Sequence, residues 1–264
     1  MEDFFPLKLL LAFAVASSMV TLATVAAERL GSKIGGFIGG LPTMVAISLF
    51  FIGYAQTPRA ASEATGPIPL IMGFNGVYLV VYAGLSKWGA GIAMACGFAV
   101  WLTLASLIIL LDLNHFGLAL AIFILLLLGS YHLLDKRWGL RSAGKVNVRY
   151  TPGQILARAL FSGGVAVSAV YLSKVGGPIW GGIMAPFPVV YLSTLFILAR
   201  SWGIGYSLAI AKPLLVSGGV NVVVYALVAR YSYPALGLGG GTLVALAFAA
   251  LSAFGTYSFL KRMS

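Results

Sequence analysis

The sequence predicts an all-α membrane protein of about nine transmembrane helices, arranged as two inverted four-helix repeats joined by a connector helix. Three observations predict it. Hydrophobic residues fill 60% of the 264 positions and charged residues only 9%, whereas a soluble domain carries roughly 25% charged residues to keep its surface wet. Apolar stretches close to the ~20 residues that cross a hydrocarbon core recur along the whole chain. A stretch of the first half also recurs, in order, 146 residues later.

The apolar stretches predict helices over 6–27, 34–55, 64–85, 89–111, 116–134, 153–173, 178–199, 204–229 and 235–260. The acidic start Met1-Glu2-Asp3 argues against reading the first as a signal peptide, whose n-region is basic. The clearest interruption runs from Asp135 to Arg149 and holds Lys136, Arg137, Arg141, Lys145 and Arg149. Net charge is +11, but the bases form no stripe or folded basic domain that would point to nucleic acid. They lie between apolar segments, where the positive-inside rule applies. Arg29, Lys33, Lys87, Arg200, Lys261 and Arg262 fall on the same side as the basic loop. Arg59, Lys174 and Arg230 fall on the other, with Lys8 near the outer end of the first helix. The expectation is a cytoplasmic-membrane protein with its N-terminus outside and its C-terminus in the cytoplasm. Cys96 is alone, so no disulfide framework or thiolate metal site is expected.

The repeat aligns residues 31–75 with 177–221 without a gap. Gly31, Gly35, Gly36 and Pro42 fall on Gly177, Gly181, Gly182 and Pro188, and Leu49-Phe50 on Leu195-Phe196. Pro67, Gly73 and Asn75 fall on Pro213, Gly219 and Asn221, and a small gap brings Lys8 opposite Arg158. The domains expected are a first repeat over 1–112, a connector helix and basic loop over 113–150, and a second repeat over 151–264. Five helices separate equivalent positions, so the copies cross the membrane in opposite senses. Inverted repeats of this kind are a common frame for secondary transporters, whose halves rock about a site near the midplane. They also occur in channels and scaffolds.

The pattern Leu7-Lys8-Leu9-Leu10, then a glycine-rich run ending Gly40-Leu41-Pro42-Thr43, resembles the GlpM-like group of small four-helix membrane proteins. The second half repeats it loosely as Arg158 and then Ala185-Pro186-Phe187-Pro188. The resemblance covers about 100 residues of each half, and departs from the group in fusing two copies through an extra helix. It implies a bacterial or archaeal cytoplasmic membrane protein, sometimes tied to envelope polysaccharide production, and lends no catalytic residue.

Candidate substrate-binding residues are Lys212, Asn75, Asn221, Gly66, Pro67, Pro213, Arg158 and Lys8. Thr65-Gly66-Pro67-Ile68-Pro69 and Ala211-Lys212-Pro213 interrupt matched helices, and interrupted helices in matched positions point to a transporter site. A proline removes a hydrogen bond and pushes its predecessor out of helical geometry; a simple kink is the plainer reading. Lys212 lies ~12 Å into its helix, where a lysine is costly unless it faces the bundle interior or snorkels to the surface. Glu28, Glu63, Asp112 and Asp135 sit near helix ends, so none is expected to pair with it. Asn75 and Asn221 each follow their proline by eight residues, as interhelical glue or as the lining of a polar path. Lys8 and Arg158 stand near helix starts and suit interfacial anchors equally well. The four-residue spacing of Gly31, Gly35 and Gly39, and of Gly177, Gly181 and Ala185, lets helices approach closely. Pro178, Pro186 and Pro188 soften the start of the seventh helix.

The His–Asp pairs Asp112/His115 and His132/Asp135 bracket the connector helix at opposite ends, too far apart for one metal site. No nucleophile with a base, phosphate loop or paired buried carboxylates is present, and no enzyme activity or cofactor is expected. The partners expected are the bilayer and a small anionic or zwitterionic solute, with a homodimer left open and nucleic acid excluded. A non-transporting accessory or lipid-handling subunit in envelope assembly is the alternative function.

Overall fold

The computed structural model describes residues 4–29, 41–140 and 150–263, without the side chains of 27–29 and 260–263. The glycines Gly31 to Gly40 and the basic residues Arg141, Lys145 and Arg149 therefore lie outside the described residues. In chain order the helices are α1 (Phe5–Arg29), α2 (Thr43–Ala55), α3 (Pro58–Ala64), α4 (Ile68–Leu85), α5 (Ala90–Leu110) and α6 (Phe116–His132). They continue with α7 (Pro152–Gly176), α8 (Pro178–Met184), α9 (Val189–Trp202), α10 (Ile204–Ala209), α11 (Ala211–Pro213) and α12 (Gly219–Met263). Two π-helical turns, Leu133–Arg137 and Leu214–Gly218, extend α6 and α11. Among the described residues, seven helical stretches are long and apolar enough to cross a membrane.

The side-chain distribution fits lipid rather than water. In α5 the buried positions are Ala93, Gly97, Trp101, Ala105 and Ile108, three or four apart on one face. Ile92, Val100, Leu102, Leu107 and Leu110 are exposed on the rest of its surface. In α6, Leu118, Ile124, Leu125 and Leu128 likewise face outward. Mostly small residues inside and large apolar ones outside is the arrangement expected where lipid replaces water around the helices, and so much exposed apolar surface would aggregate a soluble monomer.

Contacts gather the chain reversals at two opposite ends of the bundle. At the end that holds the N-terminus, Lys174 lies 3.9 Å from the centre of the Phe5 ring, and Gln56 donates to Ser173 Oγ at 3.0 Å. Arg230 stacks on Phe116 there and donates to Thr65 Oγ1 at 3.3 Å. The far ends of α4 and α6 meet where the Trp138 ring lies against Gly84, and Tyr82 shares a 2.6 Å hydrogen bond with Ser207 beyond α9. Arg59, Lys174 and Arg230 thus occupy one end and Lys87, Asp135 and Arg200 the other. Helices α1 and α7 pack antiparallel: Ser17 Oγ donates to Ala159 O at 2.8 Å, while the opposite helix ends meet at Phe5 and Lys174.

Helix starts follow local chemistry. Thr151 caps α7 in a reciprocal pair with Gln154, at 3.3 and 3.0 Å, with Pro152 in the first turn. Thr57 Oγ1 accepts from the Ala60 amide at 3.1 Å to start α3, again just before a proline. Gly237 breaks α12 with φ 70° and ψ −179°, a conformation essentially confined to glycine. The two arms fold back on each other there, because Ser232 bonds Gly241 O at 3.1 Å and Ser252 bonds Asn221 at 2.8 Å.

The structure corrects several expected helices. The segment 34–55 is not one helix: Leu41 and Pro42 are non-helical and α2 starts at Thr43. The segment 178–199 divides into α8 and α9 around Ala185–Pro188. The two breaks share one backbone form. Pro42 has φ −79° and ψ 47°, and Pro188 has φ −75° and ψ 39°. Thr43 N donates to Leu41 O at 2.8 Å and Val189 N to Phe187 O at 2.7 Å, so each proline sits at the centre of an inverse γ-turn. Thr65-Gly66-Pro67 separates α3 from α4, and the helix expected over 204–229 is broken at Ile210 and widened into a π turn after Pro213.

Candidate functional site

A cavity of about 350 Å³ opens between the two proline turns. Leu41, Pro42, Met44 and Val45 line it, and so do Phe187, Pro188, Val190 and Tyr191, each 146 positions later. Met72 of α4 and Gly218 of the second π turn, again 146 apart, line it too. Val20, Ala23 and Thr24 of α1 complete the apolar side, and Tyr150 and Arg158 line it at the start of α7. The prolines explain why backbone can line a cavity here. A proline at the head of a helix leaves the turn before it outside the helical ladder, and non-helical backbone at membrane depth is tolerated only inside protein or beside a cavity.

Of the eight candidate residues, the structure brings Asn75, Arg158 and Pro213 to this cavity. Asn75 is 2% exposed; its Nδ2 donates to Pro186 O at 3.2 Å, tying α4 to the unwound segment between α8 and α9. A carbonyl can only accept, so this bond fixes the amide orientation and leaves Oδ1, buried and without a hydrogen-bond partner among the described residues, as the spare acceptor. Arg158 donates to the Tyr150 hydroxyl at 2.9 Å and stacks on that ring at 5.1 Å. Among the described residues no carboxylate pairs with it. Pro213 lies just ahead of the π turn, and Tyr191 donates its hydroxyl to Leu214 O at 2.8 Å across that turn.

The other five lie elsewhere. Lys212 is buried, but its ammonium lies 2.8 Å from Asp135 Oδ1. This overturns the expectation that no carboxylate reaches it. The connector helix continues through the π turn Leu133–Arg137 and brings Asp135 to the side of α11. Asn221 is locked within the α12 hairpin: Ser252 and Thr256 donate to its Oδ1 at 2.8 and 3.4 Å, and its Nδ2 donates to Ser217 at 3.2 Å. Lys8 donates to Tyr54 O at 2.9 Å at the end of α2, as an anchor would. Gly66 lies against Asn114, and Pro67 against Gly182 of α8. A side chain at Gly182 would collide with Ala64 O and the Pro67 ring, so that glycine serves close packing.

Tyr191, Tyr150 and the carbonyl of Pro186 were not singled out by the sequence. The pattern Pro186-Phe-Pro188 carries a signal for the last, because the carbonyl of a residue inside a proline break is freed from the helical ladder. Tyr150 and Tyr191 carry none, being two among twelve tyrosines. Comparison with known proteins adds no relative, since no family model, no curated protein and no solved structure matches this chain.

Proposed function

We propose that the chain is a membrane carrier, not an enzyme, that moves a small anionic or zwitterionic solute by alternating access. Its site is the cavity between the two proline turns. The observation that carries this reading is the cavity's composition: residues 146 apart line it together, and Arg158, which pairs with no described carboxylate, lines it with them. A cation of this kind at a membrane-embedded cavity favours an anionic partner.

The frame we propose is an inverted duplication with nine crossings, two GlpM-like units fused through α6. Counting the arms of α12 on either side of Gly237 separately, and adding the shorter apolar helix Thr43–Ala55, raises the seven long stretches to nine. The matched γ-turns at Pro42 and Pro188 support a repeat, and the antiparallel packing of α1 on α7 supports its inversion. We place the protein in the cytoplasmic membrane with its N-terminus outside. Single cysteines at Arg59 and Lys87, each in a chain with Cys96→Ala, would test this with a membrane-impermeant thiol reagent, and labelling of Lys87→Cys from outside intact cells would overturn it.

The functional test is counterflow in proteoliposomes with a panel of radiolabelled carboxylates and amino acids. At least one should exchange with the wild-type protein and cease to do so with Arg158→Gln. A correctly inserted protein that exchanges none of them sinks the carrier reading in favour of a non-transporting subunit.

A further inference from the structure

We infer that the ligand of this cavity is an apolar carboxylate that also carries a hydrogen-bond donor, an amino or hydroxy acid with a hydrocarbon body. The inference rests on the site proposed above and adds the ligand's chemistry to it. Three features of the cavity each select one part of the molecule.

Arg158 selects the carboxylate. A guanidinium presents a planar fork of donors that matches a carboxylate in two parallel hydrogen bonds. Only part of that fork is used, by the Tyr150 hydroxyl at 2.9 Å. The Tyr150 ring stacks on the guanidinium at 5.1 Å and holds it in place.

The walls select a hydrocarbon body. Met44, Val45, Met72, Val190 and Leu214 line the cavity between the two proline turns. A multiply charged body would lose much of its hydration among them, with only the hydroxyls of Thr24, Thr43, Thr194 and Ser217 beside them.

Asn75 selects the donor. It lines the cavity at 2% exposure, its Nδ2 is committed to Pro186 O, and its Oδ1 has no partner. A buried acceptor left unpaired is costly, and a ligand N–H or O–H that parts the lining over this covered oxygen removes that cost. Ligands without a donor leave the penalty in place, which is how a polar site rejects the analogue that lacks the matching group.

The test is equilibrium binding to the purified full chain in lipid nanodiscs, with four probes that share one carbon skeleton. These are L-leucine, 2-hydroxy-4-methylpentanoate, 4-methylpentanoate, which has no donor, and 4-methyl-1-pentanol, which has no charge. Leucine or the hydroxy acid should bind at least tenfold more tightly than 4-methylpentanoate, and the alcohol should bind weakest. The series is read on the unaltered protein, so it does not depend on a variant folding. Asn75→Leu should then erase the preference for donor-bearing probes, and Arg158→Gln the preference for carboxylates. Equal binding of 4-methylpentanoate and both donor-bearing acids overturns the donor assignment. Equal binding of the alcohol overturns the carboxylate assignment, and binding of none of the four overturns both. Binding in this order without any counterflow leaves the ligand class standing and sinks the carrier reading. Counterflow of other anions without binding of these probes does the reverse.

Discussion

Asn75 and Asn221 hold matching places in the two halves, eight residues after a proline, yet the structure uses them differently. Asn221 is held by Ser217, Ser252 and Thr256 inside one helical hairpin. Asn75 reaches across to the carbonyl of Pro186 and keeps an acceptor to spare. The cause is the opposing helix. The second arm of α12 turns two hydroxyls toward its asparagine, whereas the buried face of α5 is Ala93, Gly97, Trp101, Ala105 and Ile108 and offers none. Thr103 and Ser106 of α5 bond their own backbone instead. An amide that finds no partner within its own hairpin must find one elsewhere, and here that is unwound backbone beside a cavity.

The matched bases show a second contrast of this kind, and it predicts the largest effect. Lys8 is engaged with Tyr54 O at the end of α2, while Arg158 lines the cavity. Arg158→Gln should lower counterflow by about a hundredfold or more, on the scale of losing a charge that meets a desolvated partner. Lys8→Gln should lower it only a few-fold, because it removes an anchor near the surface. Equal losses in the two variants would erase the difference between the halves.

A smaller effect is expected at the ion pair of Lys212 and Asp135, which exists only in the second half. The lysine side chain is 9% exposed and the carboxylate 28%, so the pair is only partly screened. Lys212→Met should lower the unfolding temperature, mainly by leaving Asp135 without its partner. Adding Asp135→Leu should recover most of that loss in thermal unfolding of the detergent-solubilised protein, and failure of the recovery would mean that the pair organises α11 as well as neutralising charge.

These cases mark what was legible in the sequence. The apolar runs of α1, α5, α6 and α7 define their helices directly, because each must satisfy its backbone internally in lipid. The prolines and asparagines locate the interruptions. What sequence spacing does not carry is the depth of a break or the partner of a side chain. Pro188 reads as part of a softened helix start and Pro42 as a residue inside the helix over 34–55, yet each centres a γ-turn beside the cavity. Lys212 looks unpaired because Asp135, 77 residues away, reads as a loop residue until the π turn extends α6. Asn75 and Asn221 look equivalent because the hydroxyls that separate them lie on other helices. Long-range packing decided each of these, and no local pattern encodes it.

The two asparagines themselves give the smallest and sharpest test. Asn221→Ala removes hydrogen bonds within a hairpin, and polar contacts between membrane helices are worth about 0.6 kcal/mol on average and up to about 1.7. The variant should therefore unfold at a slightly lower temperature while its counterflow, normalised to folded protein, stays within about twofold of wild type. Asn75→Ala should do the opposite. It removes one bond to Pro186 O but also an acceptor that has no partner, so the stability terms oppose each other and the unfolding temperature should barely move. Its counterflow should fall about tenfold, as expected where one ligand hydrogen bond worth roughly 1.4 kcal/mol is lost. If both variants lose stability and keep transport, both asparagines are interhelical glue, and the cavity side of the comparison fails.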